Sequence, residues 1–365
     1  MYRYFFVVIS LICSTATIAK DDNHEFSASI LVDGDFLVNK DTDTYYDEAE
    51  LRQFKLRYKQ DINKHLKTKI SINLSDKDIS ISDMYVQYKK NIFETTFGRQ
   101  REAFGFENRI STSNQLLIES SLITESLAPG RNIGLNTQVQ TSFFTFDLGL
   151  FNIENDDEVE QLTYRYSNEK AITTRVNIDL PYNLHYFNIG TSFSYRDTNN
   201  NAYDFKSTAE VHTGPDLINT EKYDTASLLL KGLDVTFLYK RFIVSGEYIN
   251  QQQQLAKSPI NYTQDGFSFT SSLFLTQDRH TIRNGKLKEF TPNKTAGLEL
   301  VTRYSSMNIE SASTTEQLQI LTLGTNFYIK QHLKFMLNYS LISSDNRLGR
   351  ITDYQSLMAR GQYTF

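Results

Sequence analysis

The chain has 365 residues, with 38 Lys+Arg against 43 Asp+Glu and a formal net charge of −5. That acidic balance gives no electrostatic footprint for nucleic acid, and a single cysteine excludes a disulfide-stapled extracellular module. Mean hydropathy is −0.43, yet 25 Phe and 22 Tyr stand beside 5 Pro; so polar and so aromatic a chain fits a membrane β-barrel, in which only every second residue faces lipid.

The opening MYRYFFVVISLICSTATIA sets Arg3 before an apolar run from Tyr4 to Cys13, with small residues up to Ala19. This pattern predicts a secretory signal peptide over residues 1–19, because the run is too short for a membrane-spanning helix. The only cysteine would leave with it, and residues 20–365 are expected to form one barrel domain.

From there a period of two recurs, the spacing of strands with unlike faces. In QFKLRYK, Phe54, Leu56 and Tyr58 oppose Lys55, Arg57 and Lys59. LKTKISINL sets Leu66, Ile70 and Ile72 against Lys67 and Lys69, and MYVQYK sets Met84, Val86 and Tyr88 against Lys89. FFTFDLGL, LTYRYS (with Arg165) and ITTRVNI (with Arg175) continue the pattern, as does LKFMLNYSL near the end. The last stretch aligns Leu357, Ala359, Gly361, Tyr363 and Phe365.

Short separators are expected at 60–63, 89–91, 167–170, 240–241 and 330–332, and long ones at 100–131, 195–204, 251–262, 305–316 and 343–354. Gln251–Gln254 is placed in an exposed loop. Tight turns at one end and long loops at the other predict an all-β, transmembrane antiparallel barrel of about 16 strands, with 18 as the upper count. A soluble β-sandwich would have connections of similar length at both ends.

With apolar faces toward lipid, where a charge costs about 2–4 kcal/mol at mid-bilayer, the lumen receives the charged faces. The expected anion pathway is Lys55, Arg57, Lys67, Lys69, Arg165, Arg175 and Arg303, while Lys59 and Lys89 abut turns. The plainer reading makes these solvated wall charges, some paired with Asp147 or Glu299. The histidines at 24, 65, 185, 212, 280 and 332 have neither metal-ligand spacing nor a nucleophile context, and no Gly-rich phosphate cradle occurs. No enzyme and no cofactor is expected.

The stretch from Phe97 to Gly134 resembles the phosphate-selective porin O/P family. The matching features are Phe97-Gly98-Arg99, Phe104-Gly105, Glu107, Ser113-Asn114, Glu119 and the Ala128-Pro129-Gly130-Arg131 turn. Residues 323–340, 298–305, 244–249 and the Arg-rich strand near residue 50 fit the same family. The resemblance implies a homotrimeric, 16-stranded channel in the outer membrane of a Gram-negative bacterium, set among lipid and lipopolysaccharide, with a long loop folded into the pore. Here that loop is about 100–131, with Arg101, Arg109 and Arg131 beside Glu107, Glu119 and Glu125. Family members that pass phosphate use an arginine ladder and a lysine cluster near the constriction, but residues 101–131 contain no lysine. Arg131 is expected to fix the loop by pairing with Glu119 or Glu125, leaving Arg101 and Arg109 to face the permeant. The resemblance also implies that the terminal aromatics Tyr363 and Phe365 are read by the barrel-assembly machinery. The expected function is passive passage of small hydrophilic solutes with modest anion, phosphate-type, preference. The alternatives are a non-selective general porin or a surface adhesin or receptor mounted on a barrel.

Overall fold

The computed structural model describes residues 23–75, 79–154, 166–310, 315–345 and 351–365. The expected signal peptide and Arg165 lie outside them. The barrel strands in chain order are β1 (His24–Asn39), β2 (Tyr45–Asp61), β3 (Leu66–Leu74), β4 (Ile79–Lys90), β5 (Phe93–Arg101) and β6 (Arg131–Gln140). They continue with β7 (Phe144–Glu154), β8 (Tyr166–Tyr182), β9 (His185–Asp197), β10 (Tyr223–Tyr239) and β11 (Phe242–Leu255). The set ends with β12 (Asn261–Phe274), β13 (Ala296–Glu310), β14 (Thr315–Ile329), β15 (Leu333–Asp345) and β16 (Ile351–Thr364). Each strand pairs antiparallel with its chain neighbour, and β16 returns to β1 with Ser29 opposite Thr364 and Asn39 opposite Tyr354. The sheet is therefore closed, with sixteen strands and no free edge, the condition for placing backbone polar groups in lipid.

The period of two sets the two faces. In β15, Leu333, Phe335, Leu337, Tyr339 and Leu341 are exposed on the outside, while Lys334, Met336, Asn338 and Ser340 are buried within. Phe97, Leu150 and Leu323 belong to the same outer belt. Tight turns close one end, several through a left-handed residue: Asn91, Asn183, Lys240 and Lys330 have φ of 55°, 50°, 49° and 50°.

Some expected boundaries move. Residues 167–170 are part of β8, and Gln251–Gln254 belong to β11, where Gln251 and Gln253 are buried and Gln252 and Gln254 exposed. A run of identical residues carries no hydrophobic alternation, so its strand was invisible to periodicity. The strands also extend past the membrane belt on polar residues, which shortens the loops expected at 251–262, 305–316 and 343–354.

The tight-turn end has one long connection, 275–295 between β12 and β13. It carries a small hairpin, Ile282–Arg283 against Lys286–Leu287, turning through Asn284 and Gly285 at φ 55° and 58°. Asn-Gly suits this turn because both central residues must adopt φ > 0. From the other end two loops enter: 102–130, with a six-residue helix α1 (Leu122–Leu127), and 198–222, with a hairpin of Lys206–Ser207 against Ile218–Asn219. These loops pack Phe104, Ile118, Leu122, Ile123, Phe205, Val211 and Ile218 against inward apolar residues of the wall, including Leu230, Ile249, Met307, Ile320 and Met358. A dry core thus fills the lumen beside β10–β16 and displaces the open space toward β2–β7.

The pore chamber and its constriction

The open space is a polar chamber of about 240 Å³ between the β2–β7 wall and loop 102–130. Lys55 and Arg57 of β2, Lys69 of β3, Arg101, Arg109 and Arg131 from the loop and its ends, and Lys286 of the opposing hairpin line it. Four carboxylates, Asp83, Glu94, Glu102 and Asp147, share the lining with those seven cations. Alternation explains the wall: Lys55 and Arg57 are successive inward positions on β2, and Lys69 lies on the strand beside them, opposite Tyr85 of β4.

The cations differ in what holds them. Lys69 Nζ donates to Asp83 Oδ2 at 2.7 Å, and Arg131 Nε to Asp83 Oδ1 at 3.0 Å. Arg131 therefore crosses to β4 instead of pairing with Glu119 or Glu125, because the Pro129-Gly130 turn returns the chain beside Asp83 and not beside α1. Among the described residues, Arg57 donates only to Ser27 Oγ, at 3.3 Å. Arg101 donates to the carbonyls of Asn108 and of Ile110 (2.8 Å), bracing the loop's first turn. Among the described residues, no carboxylate lies within salt-bridge reach of Lys55, Arg57, Arg101, Arg109 or Lys286.

Arg109 and Lys286 mark where the two inserted segments meet. Arg109 Nη2 donates to Asn284 O at 3.0 Å, and Gly285 N donates to Asp179 Oδ1 at 3.1 Å, pinning the hairpin to β8. Burial, then the neighbouring Arg109, pushes Lys286 down to about 8. Arg109 itself is lowered to about 10, by burial and then by Arg175.

The other expected wall cations lie elsewhere. Arg175 forms a two-pronged pair with Asp234 of β10, at 2.6 and 2.9 Å, fully buried in a polar cluster that includes Ser192 and Asn177. Gly190 makes room for it: a Cβ there would collide with both Arg175 and Asp234. Arg303 is also buried and holds the loops, donating to Glu107 Oε1 at 2.6 Å, Glu210 Oε2 at 3.2 Å and Glu119 O at 2.9 Å. Lys67 sits at the exposed tight-turn rim, paired with Asp61 at 2.9 Å. Both arginines point inward as alternation requires; that their part of the lumen is packed follows from contacts far apart in sequence.

Three of the loop glutamates, Glu102, Glu107 and Glu119, are clasped by arginines, and of these Glu102 borders the chamber. Glu119 receives Arg52 Nη2 at 3.3 Å and Arg360 Nη2 at 3.1 Å, and Arg360 also grips Asp33 through Nε at 2.7 Å. Arg52 and Arg360 hold its carboxylate below the usual range against the cost of burial. Glu125 is exposed and accepts from Thr208 Oγ1 at 3.3 Å, yet the surrounding barrel, with Glu119 and Glu210, pushes it up to about 8. Glu102 is neutralised by Arg196 at 3.0 Å. Arg52, Arg196, Arg360 and Lys286 were not singled out in the sequence; the Asn284-Gly285 turn was the one available signal for the last of them.

The chain end seals the wall. Phe365 N donates to Ala28 O at 2.9 Å, and Ala28 N to Phe365 O at 2.7 Å. The Tyr363 and Phe365 rings lie 5.5 Å apart.

A closed sixteen-stranded barrel whose lumen is narrowed by an inserted loop is the architecture of an outer-membrane channel. The profile of the family "Phosphate-selective porin O and P" matches residues 30–365, and the chain belongs to that family. No curated protein matches its sequence. Among solved structures it is similar to OprB of Pseudomonas putida (11% identity, TM-score 0.63, covering 99% of this chain and 97% of that one). It is also similar to OmpT, an outer membrane protein of Vibrio cholerae (11%, 0.62, 96% and 100%), and to the anion-selective porin from Comamonas acidovorans (9%, 0.58, 94% and 99%). At these identities the likeness is one of fold.

Proposed function

We propose that this porin passes small hydrophilic solutes across the outer membrane of a Gram-negative cell with a modest preference for anions of the phosphate type. The observation that carries the reading is the chamber's lining of seven cations against four carboxylates. A cationic wall in a narrow lumen lowers the barrier for anions and raises it for cations. Three of the cations, Lys55, Arg57 and Lys69, come from two adjacent strands, and arginine adds a planar donor fork suited to phosphate. Lys286 supplies from the opposite hairpin the constriction lysine that residues 101–131 lack.

The non-selective alternative draws on Asp83, which holds both Lys69 and Arg131 and so offsets part of the wall. Titrating inorganic phosphate into chloride-carrying channels in a planar bilayer separates the two. Progressive, saturable reduction of the chloride current supports the phosphate-type preference, and a current indifferent to phosphate contradicts it. A homotrimer is part of the proposal, in line with the trimer form of OmpT of Vibrio cholerae, 12% identical with a TM-score of 0.56. So is recognition of Tyr363 and Phe365 by the barrel-assembly machinery.

A further inference from the structure

Lys55, Arg57 and Lys69 cluster on β2 and β3, while Arg101, Arg109 and Arg131 belong to the loop and its ends and Lys286 to the opposing hairpin. Further along the wall from that cluster, the lining includes amides and a carboxylate: Gln87 on β4, Gln100 on β5, Gln138 on β6 and Asp147 on β7. All three glutamine nitrogens are committed to the wall. Gln87 Nε2 donates to Glu94 Oε1 at 2.9 Å, Gln138 Nε2 to Asp147 Oδ1 at 2.9 Å, and Gln100 Nε2 to the carbonyls of Thr96 and Gly134 at 3.0 and 3.2 Å. Swapping oxygen for nitrogen in any of them would set oxygen against oxygen, so each orientation is fixed by its acceptors. Beside the hydroxyls of Tyr85 and Thr96, these four side chains offer a solute three amide oxygens and a carboxylate, a set rich in acceptors. Asp147 has two amide donors, Asn136 and Gln138, and no cation within pairing distance among the described residues.

Orthophosphate meets only half of this surface. Gln87 lies one strand over and two residues along from Lys69, since Lys69 is opposite Tyr85, and such diagonal neighbours are ~7–8 Å apart. A phosphate seated on the cations keeps its few protons at its own centre, short of the acceptors. We propose that the chamber is built for a hydroxylated organic anion, of the sugar-phosphate or sugar-acid class. Its anionic group rests on Lys55, Arg57 and Lys69, and its hydroxyl groups donate to Gln87, Gln138 and Asp147. Hydroxyl donors to an ionised acceptor make the stronger kind of hydrogen bond. This assignment rests on the anion preference proposed above and names its substrate.

The test uses the purified full-length porin in planar bilayers, with chloride current titrated by two probes of similar bulk and charge: glucose 6-phosphate, and cyclohexyl phosphate, which has no hydroxyl groups on its ring. Glucose 6-phosphate is expected to half-block at about tenfold lower concentration, the equivalent of one or two net hydrogen bonds. In Q138L and, separately, Q87L, the two half-blocking concentrations should converge. Equal block of the native channel by both probes, with anion selectivity retained, overturns the hydroxylated-anion assignment alone. Absence of block by either probe together with a non-selective channel overturns the anion reading on which it rests.

Discussion

At the scale of single residues, inward charges divide by whether a carboxylate reaches them. Among the described residues Arg57 has only a hydroxyl for a partner, and it lines open space, whereas Arg175 is enclosed with Asp234. Arg57→Gln should therefore change selectivity and not stability. Removing one charge about 8 Å from the ion path changes each ion's barrier by ~0.5 kcal/mol in a water-like dielectric, upward for chloride and downward for potassium, so the chloride-to-potassium permeability ratio should fall roughly fivefold. Arg175→Gln leaves Asp234 buried without its cation, a loss of about 3–5 kcal/mol. Its folded barrel should unfold at lower temperature in a gel-shift assay while the channels that do form keep native selectivity. Equal selectivity losses in both variants would contradict this division. Period-two alternation sufficed to place Lys55, Arg57 and Lys69 inside. Nothing local in the sequence distinguished them from Arg175 and Arg303, because the difference lies in partners 59 and 196 residues away.

Two groups outside the spanning strands predict a pH response of the channel. Lys286, pushed down to about 8, loses its positive charge as pH rises, and Glu125, pushed up to about 8, gains a negative one over the same interval. Both changes make the pore more negative. Anion preference should thus fall from about pH 6 to about pH 10, and Lys286→Gln should reduce the size of the fall. Reversal potentials that stay constant across that range, or that move toward chloride, would argue against these assignments.

At the scale of elements, the constriction loop is held in place by a neighbouring loop. Glu210 of the 198–222 segment accepts from Leu122 N at 2.7 Å and Ser305 Oγ at 2.7 Å, and pairs with Arg303. It does so from a left-handed backbone, φ 61°, next to Ala209 at 57°, an arrangement that costs of order 1–3 kcal/mol and persists only where surrounding contacts enforce it. Glu210→Ala removes three partners at once. Single-channel recordings should then show larger and noisier openings as the 102–130 loop loosens, and unchanged, quiet openings would show that the apolar packing alone holds it. The sequence marked this loop well, since its Gly, Pro and Arg punctuation is unlike any strand. The 275–295 hairpin was hidden by the prior that connections at the tight-turn end are short, although Asn284-Gly285 signalled its turn.

At the scale of the whole molecule, closure is the organising fact, and it rests on the last strand. The final residues pair with β1 up to Phe365, so deletion of Phe365 should lower the amount of assembled barrel in the membrane far more than it alters conduction per channel. Native levels after that deletion would count against a terminal aromatic assembly signal. The strand count and the two faces were legible because lipid imposes one rule on every strand. The filling of one side of the lumen was not, since inward residues such as Met307, Ile320 and Met358 become a core only once two distant loops arrive to cover them. The open chamber consequently lies off-centre along β2–β7, and the proposed selectivity rests on a small part of the wall.

The most direct test of that account is the reversal potential of the purified porin in a planar bilayer under a potassium chloride gradient near neutral pH. The seven-to-four excess of cations in the chamber predicts reversal on the chloride side. Reversal at zero or on the potassium side would mean that the carboxylates govern the path, and that the basic wall does not set what this channel admits.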